Sequence, residues 1–260
     1  MPELIEIESY RRLADEVLGR QVAGVDAPDA WYLKGGLTAT AITDALVGRS
    51  IVGDRRLGKL LMLDLDDDHT LGLRFGMTGR LVVDGLVSIE RLEYSTARHE
   101  RAWDRFTMRF AGGGDLRMRD PRRLGGVFLD PDMDRLGFEA TTLTRRQLAR
   151  VLGTSMAPLK TRLMDQSRLA GLGNLLTDEV LFRAGLDPAR PAGSLSDTEL
   201  RRLHRVIRRT LAELIDRGGS HTGDFQIARV PGATCPRDGA PIQRRVVGGR
   251  ATYSCPEHQA

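Results

Sequence analysis

Lysine is nearly absent from this chain of 260 residues. Only three of its 39 basic residues are lysines (Lys34, Lys59 and Lys160), and the other 36 are arginines. This imbalance mostly reflects coding bias, but it makes each lysine a candidate for a specific role. The net charge is +4 and the sequence pI is 9.4, so an anionic partner is favoured but not required.

Long apolar runs are missing as well. No stretch is long enough to span a membrane, and the N-terminus lacks a basic region followed by an apolar segment. We therefore expect a cytoplasmic protein with no membrane partner. Hydrophobic residues make up 41% of the chain and charged residues 28%, which indicates a globular protein and not a disordered one.

Cysteine occurs only twice, at Cys235 and Cys255, and both positions lie in the last 26 residues. Disulfides are rare in the cytoplasm because thiols are kept reduced there. Two cysteines within the last 26 residues of a cytoplasmic chain therefore favour a metal site over a disulfide scaffold.

The first 130 residues are mainly strand-like. Short apolar runs such as Leu60 to Leu63, Leu81 to Val83 and Phe106 to Phe110 are separated by turn signals, including Gly112-Gly113-Gly114. Arg11 to Leu18 indicates a short helix instead. This mixture predicts a β-sandwich or barrel with an N-terminal helix packed against it.

From about residue 140 the apolar residues recur at helical spacing. Short helices are predicted over Leu143 to Leu152 and over Leu159 to Met164. A longer helix is predicted to begin at a capping box formed by Ser196 and Glu199, and Gly218-Gly219 ends it.

Residues 165–174 bring a glycine-containing loop to the start of another helix. Asn174 is predicted to be the N-cap of this helix, and Gly185 is predicted to end it. Asp178 and Glu179 follow early in the helix. Such a corner presents unpaired N–H groups and the positive end of a helix dipole, which suit a phosphate. An ordinary capped helix after a glycine turn is the alternative.

The opening MPELIEIE combines two groups that can carry out chemistry. Methionine is readily removed before a small residue such as Pro2, which leaves a secondary amine. An α-amino group has a pKa of about 8, against about 10.4 for a lysine, so near neutral pH it can act as a nucleophile. Glu3 places a carboxyl group beside it for proton transfer. The alternative is a frayed terminus with an incidental Pro-Glu.

Together with LMDQSRLAGLGNLLTDEVLFRAGLDP at residues 163–188, this opening resembles the formamidopyrimidine-DNA glycosylase/endonuclease VIII family. Members of that family are bifunctional base-excision repair enzymes with a helix–two-turn–helix DNA-binding module. At least five motifs occur in the family's order between Pro2 and His258. That order is far more specific than any one motif.

The resemblance implies three catalytic residues. Pro2 would attack C1′ of the damaged nucleotide and form a Schiff base, and Glu3 would assist opening of the sugar ring and proton transfer. Lys59, in RRLGKLLMLDL, matches a β-turn lysine that contacts the phosphate beside the lesion. Without the resemblance, a solvated turn lysine would be the simpler interpretation of Lys59.

The resemblance also implies a set of DNA contacts. Met77 in RFGMTGRL, and Arg122 and Leu124 in DPRRLGG, match the side chains that fill the gap left by a flipped-out base. Leu124 departs from the family, in which phenylalanine is usual at this position. Three further residues are matched to the DNA interface: Lys160, Asn174 and Arg250.

The last segment has the spacing of the family's four-cysteine zinc finger. Cys235-Pro-Arg-Asp238 and Cys255-Pro-Glu-His258 are separated by sixteen residues, and Asp238 and His258 replace two cysteines. All three residue types can bind Zn²⁺, although aspartate is unusual in a structural site. We expect one structural zinc ion bound by these four residues. The alternatives are a three-ligand site, a metal-free hairpin or a Cys235–Cys255 disulfide.

One departure concerns the substrate. Members that act on guanine lesions carry a long loop before the finger, whereas here nine residues separate Phe225 from Cys235. Contacts to phosphate would survive this loss because they position DNA without reading the base. We therefore predict that oxidised pyrimidines, formamidopyrimidines or abasic sites are handled better than 8-oxoguanine.

The expected architecture is α+β. An N-terminal catalytic β-sandwich with a flanking helix (1–135) precedes a helix–two-turn–helix DNA-binding domain (136–225) and a zinc-finger-like β-hairpin (226–260). We expect a monomer that acts on damaged double-stranded DNA, excises the base through a Schiff base on Pro2, and then performs β- and δ-elimination. Two rivals remain: an abasic-site lyase with little glycosylase activity, and a non-catalytic protein that binds damaged DNA.

Overall fold

The strand-like first half of the chain forms two four-stranded antiparallel sheets. The strands are β1 (Val22–Asp26), β2 (Ile51–Leu57), β3 (Leu60–Leu65), β4 (Thr70–Arg74), β5 (Arg80–Val83), β6 (Asp104–Phe110), β7 (Asp115–Arg119) and β8 (Gly126–Leu129). Their order is β1-β6-β7-β5 in one sheet and β2-β3-β4-β8 in the other. Side chains of both sheets, such as Leu61 and Phe106, share one apolar core, which confirms the predicted β-sandwich.

Two helices accompany these sheets, α1 (Leu4–Ala14) and α2 (Ala39–Leu46). The predicted start of the first helix at Arg11 was wrong, because α1 begins seven residues earlier. Ile7, Tyr10 and Ala14 recur at helical spacing and are fully buried. The apolar face of the helix therefore extends towards the N-terminus.

The structure is a computed structural model that describes residues 2–89 and 100–259. The chain divides into two compact units, Met1–Pro2 with Glu6–Met133 and Glu3–Ile5 with Asp134–Ala260. The segments predicted as two domains after residue 135 thus group in one unit. Within the described residues, no helix has both the length and the apolarity needed to cross a membrane.

Four helices lie in the second unit: α3 (Arg145–Leu152), α4 (Leu159–Met164), α5 (Asn174–Ala184) and α6 (Asp197–Arg217). Capping boxes that begin at Thr144 and Ser196 open α3 and α6. Gly185 and Gly218, both in the left-handed conformation, end α5 and α6. The start and end predicted for α6 are confirmed.

Short strands complete the second unit. β9 (Phe138–Glu139) pairs in parallel with β10 (Leu169–Ala170). β11 (Gln243–Val247) and β12 (Arg250–Ser254) form an antiparallel hairpin, and Gly248-Gly249 make its turn with positive φ angles. This hairpin is the one predicted for the last segment of the chain.

Helix α5 is buried on nearly every side. Leu176 and Val180, on the face predicted to be apolar, belong to the core of the second unit. Asp178 and Glu179 are fully buried as well. Since a buried carboxylate is costly unless it is paired, the partners of these two residues determine how α5 is held.

Candidate functional site

Glu3 is fully buried, and its carboxylate lies at the N-terminus of α5. Its Oε2 atom accepts hydrogen bonds from Gly173 N (2.8 Å) and Leu176 N (3.1 Å), and its Oε1 atom accepts one from Leu175 N (2.8 Å). Three N–H donors and the positive end of the helix dipole stabilise the negative charge. A Cβ atom at Gly173 would lie 2.2 Å from the Glu3 carboxyl carbon, so this approach requires glycine.

This arrangement corrects two predictions about the corner before α5. The N-cap is Gly173, and Asn174 is the first helical residue instead. The N–H groups of Gly173, Leu175 and Leu176, expected to receive a phosphate, are bonded to Glu3. Local sequence could not reveal this, because the capping carboxylate lies 170 residues from Gly173 along the chain.

Asn174 itself keeps spare hydrogen-bonding capacity. The residue is half-buried, and its Oδ1 atom has no hydrogen-bond partner among the residues described. An amide oxygen accepts hydrogen bonds and cannot bind a phosphate oxygen, whereas the amide nitrogen donates. A phosphate contact at this corner would therefore come from the Asn174 amide nitrogen and not from the backbone N–H groups, which are bonded to Glu3.

Lys59 occupies the tight turn between β2 and β3. Leu57 pairs with Leu60, so Gly58 and Lys59 form a two-residue hairpin loop. Gly58 has a φ of 56°, a conformation that suits glycine at the first loop position. The turn expected around Lys59 is present, and its half-buried side chain extends from the end of a rigid hairpin.

Met77 and Leu124 lie on neighbouring turns of the first unit. Gly76, which precedes Met77, has a φ of 60°, and a Cβ atom there would lie 2.4 Å from the backbone carbonyl carbon of Leu124. Met77 is half-buried, while Arg122 and Leu124 are exposed. The structure thus brings together the three side chains matched to the gap in flipped-base DNA.

Asp120 organises these two turns, although no motif singled it out. It is fully buried, and its carboxylate accepts hydrogen bonds from Thr78 Oγ1 (2.5 Å), Arg122 N (3.2 Å) and Gly125 N (2.8 Å). One carboxylate therefore ties the turn of Met77 to the loop of Arg122 and Leu124. The available signal was the Asp-Pro pair of DPRR, which favours turn initiation.

Arg123, in the same loop, is exposed and forms an ion pair with Asp29. Its Nε and Nη2 atoms donate to the two carboxylate oxygens of Asp29, each at 2.6 Å. The bidentate pair lowers the pKa of Asp29 below its usual range. Arg123 has a φ of 57°, and the pair with Asp29 holds this uncommon backbone conformation in place.

Lys160 is placed differently from its prediction as a DNA contact. Its side chain is fully buried, and its Nζ atom donates to Asp178 Oδ1 (2.7 Å), Thr252 Oγ1 (2.9 Å) and the carbonyl oxygen of Ala251 (3.2 Å). Burial lowers the pKa of Lys160, and the Asp178 carboxylate opposes that shift. The ammonium group thus links α4 and α5 to β12 and is not presented at the surface.

Asp178 also bonds Arg229 Nε (3.1 Å) and Tyr253 N (3.4 Å). Its neighbour Glu179 accepts from Arg183 Nε (2.6 Å) and Phe225 N (2.9 Å). These two buried carboxylates therefore connect α5 to the hairpin and to the segment that follows α6. Their structural role was not predicted.

Cys235, Asp238, Cys255 and His258 come together as predicted for a metal site. One ligand atom from each lies within 4.8 Å of every other. His258 Nδ1 is 3.5 Å from Cys235 Sγ and 3.1 Å from Asp238 Oδ2, and Cys255 Sγ is 3.3 Å from Asp238 Oδ2. Donors about 2.0 to 2.3 Å from a tetrahedral zinc ion have separations of about this size. Both cysteines are free thiols, so the alternative disulfide is not formed.

The surroundings of this cluster orient the donors. His258 Nε2 lies 3.3 Å from the carbonyl oxygen of Phe182, so a proton on Nε2 leaves the Nδ1 lone pair directed into the cluster. The N–H group of Ala240 donates to Asp238 Oδ1 (2.9 Å) and lowers the pKa of Asp238, which keeps this donor ionised. The four residues could hold a metal ion.

Arg250, the last predicted DNA contact, is the first residue of β12. It follows the Gly248-Gly249 turn, and it is exposed. Since Tyr253 and Thr252 on the same strand bind the Asp178 and Lys160 pair, the position of Arg250 depends on buried charges of α4 and α5.

Two family models match the chain. The formamidopyrimidine-DNA glycosylase N-terminal domain matches residues 1–127, and the formamidopyrimidine-DNA glycosylase H2TH domain matches residues 136–226. The formamidopyrimidine-DNA glycosylase of Thermus thermophilus is 37% identical over 287 aligned positions, which cover 100% of this chain and 98% of the relative. That of Heliobacterium modesticaldum is 37% identical over 286 positions, with 100% of both chains covered.

Solved structures of formamidopyrimidine-DNA glycosylases are similar to this chain over its full length. A complex of Lactococcus lactis Fpg with abasic-site DNA has a TM-score of 0.85 and 28% identity, with 100% of both chains covered. A complex of the same protein with DNA containing an oxidised pyrimidine has a TM-score of 0.84 and 29% identity, with 99% of both chains covered. Fold and matches define a DNA N-glycosylase. The chain belongs to the formamidopyrimidine-DNA glycosylase family.

Proposed function

We propose that this protein is a base-excision repair enzyme that removes oxidised bases from double-stranded DNA and then cleaves the strand at the abasic site. AP lyase activity is typical of the family to which it belongs. The observation that carries the proposal is the position of Glu3, fixed by three N–H donors directly after Pro2 in the chain. DNA binding alone needs neither a terminal amine nor a buried carboxylate beside it.

The reaction begins when the Pro2 amine, exposed by removal of Met1, attacks C1′ of the damaged nucleotide. The N-glycosidic bond breaks, and its electron pair leaves with the base, which takes up a proton. Glu3 accepts the proton that the Pro2 nitrogen loses after it bonds to C1′ and passes it to the sugar ring oxygen as the C1′–O bond of the ring breaks, which leaves a Schiff base between C1′ and the Pro2 nitrogen. β-Elimination expels the 3′ phosphate and δ-elimination the 5′ phosphate, after which water releases Pro2.

The remaining residues position the DNA. Lys59, at the end of the β2–β3 hairpin, binds the phosphate beside the lesion, and Asn174 and Arg250 bind flanking phosphates. Met77, Arg122 and Leu124 fill the space of the extruded nucleotide, and the Asp120 carboxylate holds their two turns together. Extrusion of a base costs a few kcal/mol, so a wedge held in advance favours the flipped state.

The cluster of Cys235, Asp238, Cys255 and His258 binds one structural zinc ion. Its support is the donor set, the donor separations and the orientation of His258 by the Phe182 carbonyl. When bound, zinc supplies folding energy to the finger and takes no part in bond cleavage. The four side chains hold the ends of the hairpin that carries Arg250.

The lesion preference follows from the short segment before Cys235. With nine residues after Phe225, the protein lacks the length for a long cap over a flipped purine. Oxidised pyrimidines, formamidopyrimidines and abasic sites are therefore cleaved faster than 8-oxoguanine. Single-turnover cleavage of matched duplexes tests this, and faster cleavage of 8-oxoguanine would contradict it.

A comparison of three variants tests the proposed chemistry. Pro2→Gly and a form that retains Met1 lose strand cleavage but keep most affinity for abasic-site duplex, because phosphate contacts provide that affinity. Lys59→Met loses cleavage by at least about tenfold, equivalent to about 1.4 kcal/mol of the activation barrier. Lys34→Met is the matched control, since Lys34 Nζ already bonds the Trp31 carbonyl oxygen and its loss leaves cleavage unchanged. Full cleavage by the form that retains Met1 would exclude Pro2 as the nucleophile.

A further inference from the structure

An arginine-rich surface on α3 and α6 lies outside all the residues assigned so far. It borders an open depression of 840 Å³. We call it the α3–α6 surface, and its lining residues are Arg145, Arg201, His204, Arg205, Arg208 and Arg209. No residue placed in catalysis, base extrusion, phosphate contact or metal binding belongs to α3 or α6.

The charge of this surface is segregated along the chain. Between Ala140 and Met164 there is no acidic residue, and between Leu200 and Ala212 there are five arginines and again no acidic residue. The bias towards arginine acts on the whole chain, but it does not explain why acidic residues are missing from these two segments. The depression is therefore lined by basic residues, while Asp197, at the start of α6, lines a neighbouring depression.

The arginines of α6 form a straight row. Arg201, Arg205 and Arg208 recur at the spacing of one helix face, and Arg201 and Arg208 are exposed. The opposite face, with Leu203, Ile207 and others, is buried in the core. From Arg201 to Arg208 the row is about 10 Å long, at a rise of about 1.5 Å per residue.

These cations lack anionic partners within the protein. Among the described residues, Arg145, Arg201, Arg205 and Arg208 form no ion pair, whereas Arg209 is paired with Glu213 at 2.6 Å. Within the part of the chain that the structure describes, the side chain of Arg201 donates a hydrogen bond only to the Thr198 hydroxyl, and that of Arg208 only to the Leu143 carbonyl oxygen. Four guanidinium groups can therefore bind an external anion without breaking a salt bridge.

The chemistry of the surface selects its partner. A membrane or an amphipathic peptide would require apolar side chains, and none of the described residues that line the depression is apolar. Each strand of duplex DNA presents about one negative charge per 3.4 Å of axis, so about 10 Å of one strand carries about three phosphates and matches the row of three arginines in length and in charge. Guanidinium groups also bind phosphate in a bidentate manner.

We propose that the α3–α6 surface binds the backbone of a second, undamaged segment of duplex DNA while the lesion site holds the first. The choice of DNA over other polyanions rests on the proposed function, because that function brings the protein to DNA. A protein with two backbone sites transfers between neighbouring segments without full release. Its search for lesions would then depend on arginines that never touch the lesion.

A bridging assay tests this inference. Protein is bound to an immobilised duplex that contains an abasic-site analogue, and capture of a fluorescent undamaged duplex is measured against salt concentration. The triple variant Arg201→Gln, Arg205→Gln, Arg208→Gln should capture at least about tenfold less of the second duplex, because three phosphate contacts are lost. Glutamine keeps the helix propensity of α6, so folding is expected to be intact. Its cleavage of a short lesion duplex should match that of the wild type.

The control variant removes the same charge elsewhere. Arg12→Gln, Arg49→Gln, Arg55→Gln affects exposed arginines that are already paired with Glu8, Asp67 and Asp64, and it should capture the second duplex normally. No capture by the wild-type protein, or an equal loss in both variants, would overturn the inference and leave the proposed function intact. If bridging depends on these arginines but the protein cleaves no strand, the inference stands and the proposed function is wrong. Capture of anionic phospholipid vesicles in place of the second duplex would also overturn it.

Discussion

Helices α5 and α6 place their charged residues in opposite surroundings. In α5, Asp178 and Glu179 are fully buried, and each is bonded to basic side chains and to backbone N–H groups. In α6, Arg201, Arg205 and Arg208 line the surface and have no carboxylate partner among the described residues. Buried and paired charges fix the relative positions of elements, whereas surface charges without a partner are available to a ligand.

Lys160 belongs with the buried and paired charges, in contrast to its prediction as a DNA contact. The family match placed it at the DNA interface, but its ammonium group is enclosed by Asp178, Thr252 and the Ala251 carbonyl oxygen. Lys160 supports the hairpin that carries Arg250, and we expect it to affect DNA binding only through the position of that hairpin. Four predictions follow from the contrast between buried, paired charges and exposed charges, beginning with the largest effect.

The largest effect is expected from Asp178→Ala. It leaves Lys160 and Arg229 buried without their common anion, which should lower the free energy of unfolding by about 3 to 5 kcal/mol. Urea denaturation measures the change. The matched control is Asp216→Asn on the exposed side of α6, which should change stability by less than about 0.5 kcal/mol. Equal losses of unfolding free energy in Asp178→Ala and Asp216→Asn would show that the buried carboxylate contributes no more to stability than the exposed one.

Lys160→Met should cost less, about 2 kcal/mol, because Asp178 keeps its bond to Arg229. The salt dependence of DNA binding should not change, since no phosphate contact is lost. Arg250→Gln is the comparison: it should leave stability nearly unchanged and reduce the slope of log K against log salt by about 0.9. If Lys160→Met also reduces the slope of log K against log salt, Lys160 contacts a phosphate as first predicted.

Removal of the metal should weaken DNA binding about tenfold, equivalent to about 1.4 kcal/mol. The reason is that the ends of the hairpin that carries Arg250 are then no longer held together by the metal ion. Elemental analysis should find one zinc ion per chain in the purified protein and none in Cys255→Ser. Restored affinity after zinc is returned to the chelated protein provides the control. Unchanged binding together with no zinc would show a finger held by packing alone.

The smallest effect concerns a partly exposed pair at the start of α6. Bonds from Arg190 and the Ser196 backbone lower the pKa of Glu199 to about 2, from 4.5. A carboxyl group whose pKa is lower in the folded state stabilises the fold at pH values above its ordinary pKa of 4.5. This stabilisation is lost as the pH falls towards its folded-state pKa of about 2. Because the pair is partly exposed, the loss should be roughly 1 kcal/mol. Glu199→Gln should abolish that part of the pH dependence in acid denaturation.

Local signals predicted much of this fold. The capping box at Ser196, the stop at Gly185 and the apolar runs of the sandwich depend on neighbours in the sequence, and the structure contains all of them. The helix over Leu159–Met164 also has its predicted ends. Short-range physical chemistry was sufficient for these elements.

Long-range pairs were beyond local prediction. Glu3 caps a helix 170 residues away, and Asp120 joins a turn 42 residues earlier through Thr78. Such contacts leave no periodic pattern in the sequence, which therefore indicates Asn174 as the cap and gives no sign of the role of Asp120. The candidate site was recognised through motif order, while its supporting bonds required the structure.

The Schiff-base mechanism is best tested by borohydride trapping of the untagged protein on an abasic-site duplex, with Pro2→Gly and Glu3→Gln run alongside. We predict a covalent complex in the wild-type protein, mapped to the N-terminal peptide and absent from Pro2→Gly. If no adduct forms while DNA binding is intact and removal of Met1 is verified by mass spectrometry, the protein binds damaged DNA without catalysis, and the Schiff-base mechanism is wrong.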